Sequence, residues 1–231
     1  MKRHYEIELH EVTRLVLIRH GRIASNDYGR IQGTKDEGLD SVGIQQAELV
    51  AKRMESYAVS NIYSSPLQRA YNTATAVAQR FDLEITIDDD LIEYDFGVLS
   101  DKSMQELRQT NPRLHERVEA WMNMGASRTM TRPRVKGAEA IASLLKRVNR
   151  FKDKVVGNHP GQVVAAVSHG GYIRAFLTVL TYGSLNRRFP FWVDNASVSV
   201  IDFYKGVPCI RLFNDINHLD MELTYGRPLF L

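Results

Sequence analysis

Apolar residues along this chain fall into short unbroken runs and longer periodic ones. The first unbroken run is Arg14–Ile18, RLVLI, which ends in Arg19-His20-Gly21. Bulky residues without alternation fit a strand buried on both faces. Gln162–Ser168, QVVAAVS, has the same character and runs into His169-Gly170-Gly171. A further short strand ends near Tyr63-Ser64. Elsewhere the period becomes helical. Ile44, Ala47, Val50, Ala51 and Met54 form one stripe behind a cap at Asp40 or Ser41. Leu67, Ala70, Ala74, Val77, Ala78 and Phe81 form a second, with Ser65 as N-cap and Pro66 at the first helical position. Ile141, Leu144, Leu145, Val148, Phe151 and Val155 predict a third helix, and Tyr172–Leu180 a more apolar one. Ser197–Tyr204 and Cys209–Asn214 read as two closing strands joined at Lys205-Gly206, with Pro208 at a strand start or edge. Residues 94–136 are less regular, with Pro112, Gly125 and Pro133 and two helical pieces around Gln105 and Trp121.

Strands alternating with helices predict a layered α/β fold around a mostly parallel sheet. Ligands of such sheets bind beyond the carboxyl ends of the strands. Three segments belong there: Arg19-His20-Gly21, Ser64–Arg69 and His169-Gly170-Gly171. They bring two histidines, arginines, glycines and two helix N-termini to one rim. Arginine pairs with phosphate oxygens, and helix N-termini add N–H donors. The rim therefore reads as a phosphate pocket. A neutral imidazole held in line can attack phosphorus. Glu93, after Ile85–Ile87 and Leu91-Ile92, is placed near another strand end as the acid for a leaving oxygen. Each of these residues alone has an ordinary structural reading; the functional one rests on their occurring together.

Length and composition narrow the class. A chain of 231 residues suits a single domain, 1–231, with an inserted cap at about 94–136. Hydrophobic residues make up 44% and charged residues 25%, which allows a sizeable core and gives no sign of disorder. A net charge of +3 is too small to point to nucleic acid. One cysteine, Cys209, excludes a disulfide framework within the chain and a zinc site of several thiolates. No run approaches the ~20 apolar residues of a membrane span, and residues 1–14 do not read as a secretory signal, so the expectation is a cytoplasmic protein without a membrane partner.

The stretches LVLIRHGRIASNDYGRIQG, LDSVGIQQA, IYSSPLQRAYNTA, LIEYDFG, VVAAVSHGGYIRAFL, NASVSVIDF and FNDINHL resemble the histidine phosphatase superfamily, in family order from residue 14 to 219. That superfamily includes the cofactor-dependent phosphoglycerate mutases. The resemblance implies a three-layer α/β/α sandwich of the phosphoglycerate mutase kind with a small helical cap. It makes His20 the nucleophile, Glu93 the proton donor and His169 the second histidine. Arg19, Arg69 and Asn26 bind the phosphoryl group, with Gln32, Gly33 and Gly170 also at the substrate. No metal or other cofactor is implied, since arginines and histidines neutralise the developing charge.

The chain departs from the family pattern in places. Ile23 stands where a Ser or Thr is usual, leaving Ser25 as a replacement hydroxyl. Val98-Leu99-Ser100-Asp101 follows Gly97 where Trp-Glu-Gly is common, which makes Asp95 the reserve acid. The mutases' longer insert between motifs is missing. This favours a phosphatase of a small phosphorylated metabolite over a mutase-type phosphoryl transferase. A weakly active regulatory module on the same fold is a further alternative, and a homodimer is implied by resemblance. Histidines flanked by arginine and glycine, without a carboxylate or thiolate at ligand spacing, argue against a metal-binding reading. From Lys102 to Lys136 eight Lys/Arg and three Glu give +5, with Arg128, Arg132, Arg134 and Lys136 grouped. Such a cap either steers an anionic substrate or is simply solvated. Trp121, Met122 and Met124 either line an apolar pocket or pack a core.

Overall fold

In the computed structural model, which describes residues 12–27, 30–122, 133–185 and 190–224, the RLVLI run lies in β1 (Val12–Arg19) within a six-stranded sheet. Across the sheet the order is β4 (Ile85–Ile87), β3 (Asn61–Ser64), β6 (Val163–Ser168), β1, β7 (Val198–Tyr204) and β8 (Val207–Asp215). β1 pairs in parallel with β6, from Arg14 opposite Val163 to Arg19 opposite Ser168. β3 is parallel to β6, and β4 to β3. β7 runs antiparallel to β1, and β8 antiparallel to β7. Lys205 and Gly206 turn that last hairpin with φ of 49° and 79°. Two positive φ values suit the twist of a two-residue hairpin turn.

Alternate side chains of β1 feed two helical layers. Leu15 and Leu17 pack with Leu144, Val148 and Phe151 of α6 (Ile141–Asn158) and Phe176 of α7 (Gly170–Tyr182). Val16 and Ile18 pack with Val50 and Met54 of α2 (Ser41–Met54) and Ala70, Ala74 and Val77 of α3 (Gln68–Phe81). The result is the three-layer sandwich. Burying each large aliphatic side chain contributes about 1.5–3 kcal/mol, so these two seams hold the strand ends in place.

Three local expectations are corrected. Ile44 is exposed, and Gln46 takes the place in the buried stripe of α2. The Gln46 amide accepts from Arg22 N–H at 2.7 Å and donates to the Leu223 carbonyl at 2.7 Å, so its burial is satisfied. α3 begins at Gln68 rather than Pro66, with Leu67 at its N-cap and no side-chain cap bond. Glu93 does not end a strand. Asp89–Leu91 forms a 3-10 turn, and Glu93 follows it in an irregular segment. That segment is tied down through its carbonyls. Ser168 Oγ donates to Leu91 O at 2.7 Å, and Arg147 Nη1 donates to Asp90 O and Ile92 O at 2.9 and 2.5 Å.

Within the expected cap, β5 (Lys102–Ser103) pairs with β2 (Arg30–Ile31), and α4 (Met104–Thr110) and α5 (Pro112–Met122) follow. Ser103 and Glu106 form a capping box at the start of α4. Leu99, Leu107 and Val118 make a separate small core. Arg30 to Glu106 (2.7 Å) and Lys35 to Asp101 (2.8 Å) tie this unit to the loop after β1. Arg134 and Lys136 are exposed, while Arg128, Arg132, Met124 and the side chains of Trp121 and Met122 lie outside the described residues. So does the tail beyond residue 224; Leu223, in the short α8 (Met221–Thr224), packs against the α2 side.

Candidate active site

The three sequence-predicted segments meet at the carboxyl edge of the sheet. His20 leaves β1 with its N–H on Ser168 O at 3.0 Å, at the end of the neighbouring β6. His169 leaves β6 one residue later, and the two imidazoles lie 5.2 Å apart between ring centroids. Both are buried. Gly21 lies against α2, where an added Cβ would meet the Gly43 carbonyl oxygen at 2.5 Å. No larger residue fits that backbone-to-backbone approach.

Hydrogen bonds fix the proton on each ring. His20 Nδ1 lies 2.7 Å from Gly21 O. A carbonyl only accepts, so Nδ1 carries the hydrogen and Nε2 keeps its lone pair. His169 Nδ1 accepts from Arg69 Nε at 3.1 Å, so its hydrogen is on Nε2, which donates to Ser65 Oγ at 2.7 Å. Burial above all, then Arg69 and Arg19, holds the His20 pKa well below its ordinary value. Burial and Arg69 do the same to His169. Both rings are neutral at physiological pH.

This has a consequence for stability. Below the ordinary histidine pKa of 6.5 the unfolded chain takes up protons that the folded chain refuses. The folded pKa values are depressed, so the stabilisation is complete above 6.5 and is lost as pH falls below it. The expected loss is about 1.4 kcal/mol per pH unit for each histidine until its folded pKa is reached. Urea denaturation at pH ~7.5 and ~5.5 checks this, the window being set by the linkage between the two states. Replacing either histidine by Ala should flatten the slope.

Arg69 is fully buried and uses every nitrogen of its fork. Nε holds His169, Nη1 donates to Lys35 O at 2.7 Å and Nη2 to Gly33 O at 2.8 Å. Gly33 thus meets the site through its carbonyl. Arg19 Nη1 donates to Val193 O at 2.6 Å, while its Nε is enclosed without a hydrogen-bond partner. Burial lowers the Arg19 pKa to about 10 against the pull of Glu93 and Asp194, so it stays cationic. Gly170 lies beneath it; a Cβ there would sit 3.3 Å from Arg19 Nε. Gln32 Nε2 is likewise enclosed without a partner. Such a donor is available to an acceptor oxygen.

Asn26 accepts from Ile23 N–H at 3.1 Å and donates to Gln32 Oε1 at 3.4 Å. Ile23 is wholly buried, and Ser25, the expected replacement hydroxyl, donates instead to Glu37 at 2.5 Å. Glu93 sits at the start of α7. Its Oε2 accepts from Gly171 N–H at 2.9 Å, and its Oε1 from Tyr172 and Tyr94 N–H at 2.8 and 2.7 Å. A Cβ at Gly171 would lie 2.6 Å from Oε1, which explains a second glycine inside a helix. Asp95, the reserve acid, accepts from Gly97 N–H at 2.8 Å in its own turn. Sequence reasoning gave Ser65 only a capping role and assigned none to Gly171, Val193 or Asn195. Ser65, Gly171 and Asn195 stood inside quoted motifs; a backbone carbonyl such as that of Val193 leaves no residue-type signal. Among the described residues, no three His, Cys, Asp or Glu side chains group as a metal site, and no helix is long and apolar enough to cross a membrane.

Fold and site together define an α/β protein with a cluster of buried histidines and arginines at the carboxyl edge of its sheet. Residues 15–216 match the histidine phosphatase superfamily (branch 1), and the chain belongs to it. Phosphoserine phosphatase 1 of Hydrogenobacter thermophilus is 33% identical over 208 residues, 90% of this chain and 95% of that protein. A bifunctional protein of Mycobacterium tuberculosis is 32% identical over 209 residues, covering 90% of this chain and 55% of that protein. The chain spans about half the length of the first curated relatives it matches, at 55%. Among solved structures, phosphoserine phosphatase from Entamoeba histolytica in complex with 3-phosphoglyceric acid superposes with a TM-score of 0.73 at 29% identity, over 90% of this chain and 99% of that one.

Proposed function

We propose that this chain is a phosphomonoesterase that hydrolyses a small phosphorylated metabolite through a phosphohistidine on His20. The observation that carries the reading is the fixed tautomer of His20, whose Nε2 lone pair is kept unprotonated, on a strand end whose preceding residue, Arg19, keeps its Nε enclosed and without a partner. In the first step His20 Nε2 forms a bond to phosphorus, and the bond from phosphorus to the leaving oxygen breaks. Arg19, Arg69, Asn26 and Gln32 meet the phosphoryl oxygens, with His169 holding Arg69 in place, and their positive charge and N–H groups balance the developing charge without a metal. Glu93 gives a proton to the leaving oxygen. Oε2 is the oxygen suited to carry it, since it takes one N–H donor where Oε1 takes two. Water then attacks phosphorus, returns a proton to Glu93 and releases inorganic phosphate and free His20. The relatives named as phosphoserine phosphatases, and the neighbour solved with 3-phosphoglyceric acid, support a small phosphorylated acid as substrate.

Glu93→Gln tests the acid. The substitution has a structural cost, because the new amide nitrogen must oppose a backbone N–H at the α7 start; one unmet buried group costs about 1–3 kcal/mol. Structural damage lowers turnover of every substrate alike. Loss of the acid does not. Alkyl phosphate hydrolysis should fall by about a further 10²–10⁴-fold, while an aryl phosphate, whose phenoxide leaves unaided, is spared that part. Equal losses on both classes would remove Glu93 from the acid role. The same aryl assay with and without a chelator tests metal independence, with equal rates expected.

A further inference from the structure

The NASVSVIDF stretch runs through the site, yet none of the steps above uses it. Its first residues, Asn195–Ser197, and Val193 just before them hold the strand end that carries the nucleophile. Val193 O takes Arg19 Nη1, and Ser197 O takes Arg19 N–H at 3.1 Å. The His20 carbonyl accepts twice, from Ala196 N–H at 3.1 Å and from Asn195 Nδ2 at 3.2 Å. Ala196 reaches that position with φ of 54°, in the left-handed region. Backbone strain of this kind costs about 1–3 kcal/mol and persists where the surroundings demand it.

Asn195 Nδ2 also lies 3.4 Å from Asn26 Oδ1, so it stands between two acceptor oxygens. Only the amide nitrogen satisfies both. Asn26 Oδ1 is then held by two donors, Asn195 Nδ2 and Ile23 N–H. That turns Asn26 Nδ2 to the other side, where one hydrogen meets Gln32 Oε1. With its Oε1 engaged, Gln32 is left presenting Nε2 as an enclosed donor without a partner. The donors point one way along the chain Asn195, Asn26, Gln32, and the first link also grips the nucleophile's backbone.

We infer that Asn195 is a positioning residue: it sets the polarity of the Asn26–Gln32 amide chain, so that N–H groups rather than carbonyls face the phosphoryl oxygens, and locks the His20 backbone to it. The inference rests on the phosphatase reading and deepens it. It makes an ordering that space-filling does not. Asn195→Asp keeps shape but sets a carboxylate against the His20 carbonyl and Asn26 Oδ1. Asn26 must then flip, donate to the new carboxylate and turn its oxygen toward the phosphoryl group. Asn195→Ala removes the donor without reversing anything.

The experiment compares both variants on an aryl phosphate, with circular dichroism to confirm folding. Asn195→Ala should lower kcat/KM about tenfold and Asn195→Asp about a hundredfold or more, the scale of misaligned groups in an active site. Coupling through Asn26 should make the Asn195→Ala loss clearly smaller in an Asn26→Ala background, leaving only the part owed to the His20 carbonyl. If Asn195→Asp retains more activity than Asn195→Ala, or if the Asn195→Ala and Asn26→Ala losses multiply, the inference is overturned. An inactive wild type would count against the phosphatase reading instead. The ordering would then be read from orthovanadate affinity by calorimetry, wild type above Asn195→Ala above Asn195→Asp, and three equal affinities would overturn it.

Discussion

His20→Ala should remove aryl phosphate turnover by about four orders of magnitude or more, the loss seen when a covalent nucleophile is deleted from a unit that acts together. The size of the effect follows from the lack of a substitute. His169 is the other imidazole in reach, but its Nδ1 lone pair is committed to Arg69 Nε and its Nε2 carries the hydrogen bonded to Ser65 Oγ. It has no free lone pair to attack with. Glu93 is turned into the α7 terminus by two of its backbone donors and held by a third at Tyr94. Initial rates on wild type and variant decide the matter, with a denaturation midpoint to show that the variant is folded. A variant within tenfold of wild type would end the nucleophile assignment.

Arg69→Lys should be almost as damaging, although the charge is kept. Lysine has one nitrogen where Arg69 uses three directions at once. The carbonyls of Gly33 and Lys35 and the Nδ1 of His169 cannot all be met from a single ammonium. Each unmet buried acceptor costs about 1–3 kcal/mol, and the His169 tautomer is no longer fixed. The expected outcome is a fall in kcat/KM of about 10³-fold, comparable with losing an oxyanion donor, together with a lower denaturation midpoint. A variant with full activity and reduced stability would confine Arg69 to a structural role.

The parts of this site that were legible in the sequence are those set by residue type. β1 and β6 read correctly because strands buried on both faces are unbroken apolar runs, and the turns after them carry the histidines. The Lys205-Gly206 turn was legible for a similar reason, since the residues themselves favour it. Burial set by a partner was not legible. Gln46 occupies the buried stripe of α2 because Arg22 N–H and Leu223 O meet its amide, and the helix phase this sets leaves Ile44 in solvent. Glu93 was picked out, but its setting was not, because backbone N–H groups 78 and 79 positions away hold it. Asn195 was passed over for the same reason: its partners are a backbone carbonyl and an amide that are remote in the chain. The enclosed donors Arg19 Nε and Gln32 Nε2 become visible only once the fold closes around them.

The central claim is that phosphoryl transfer passes through His20, and the most direct measurement is of the adduct itself. Wild type and Glu93→Gln are mixed with an aryl phosphate, quenched without acid within the first turnovers and examined by intact mass and peptide mapping. The account predicts one added phosphoryl group on His20 that is lost on acid treatment and is absent from His20→Ala. Because Glu93 also takes the proton from water, the adduct should persist longer in Glu93→Gln. Turnover with no phosphoryl group on His20 in either protein, or with the group on another residue, would contradict it.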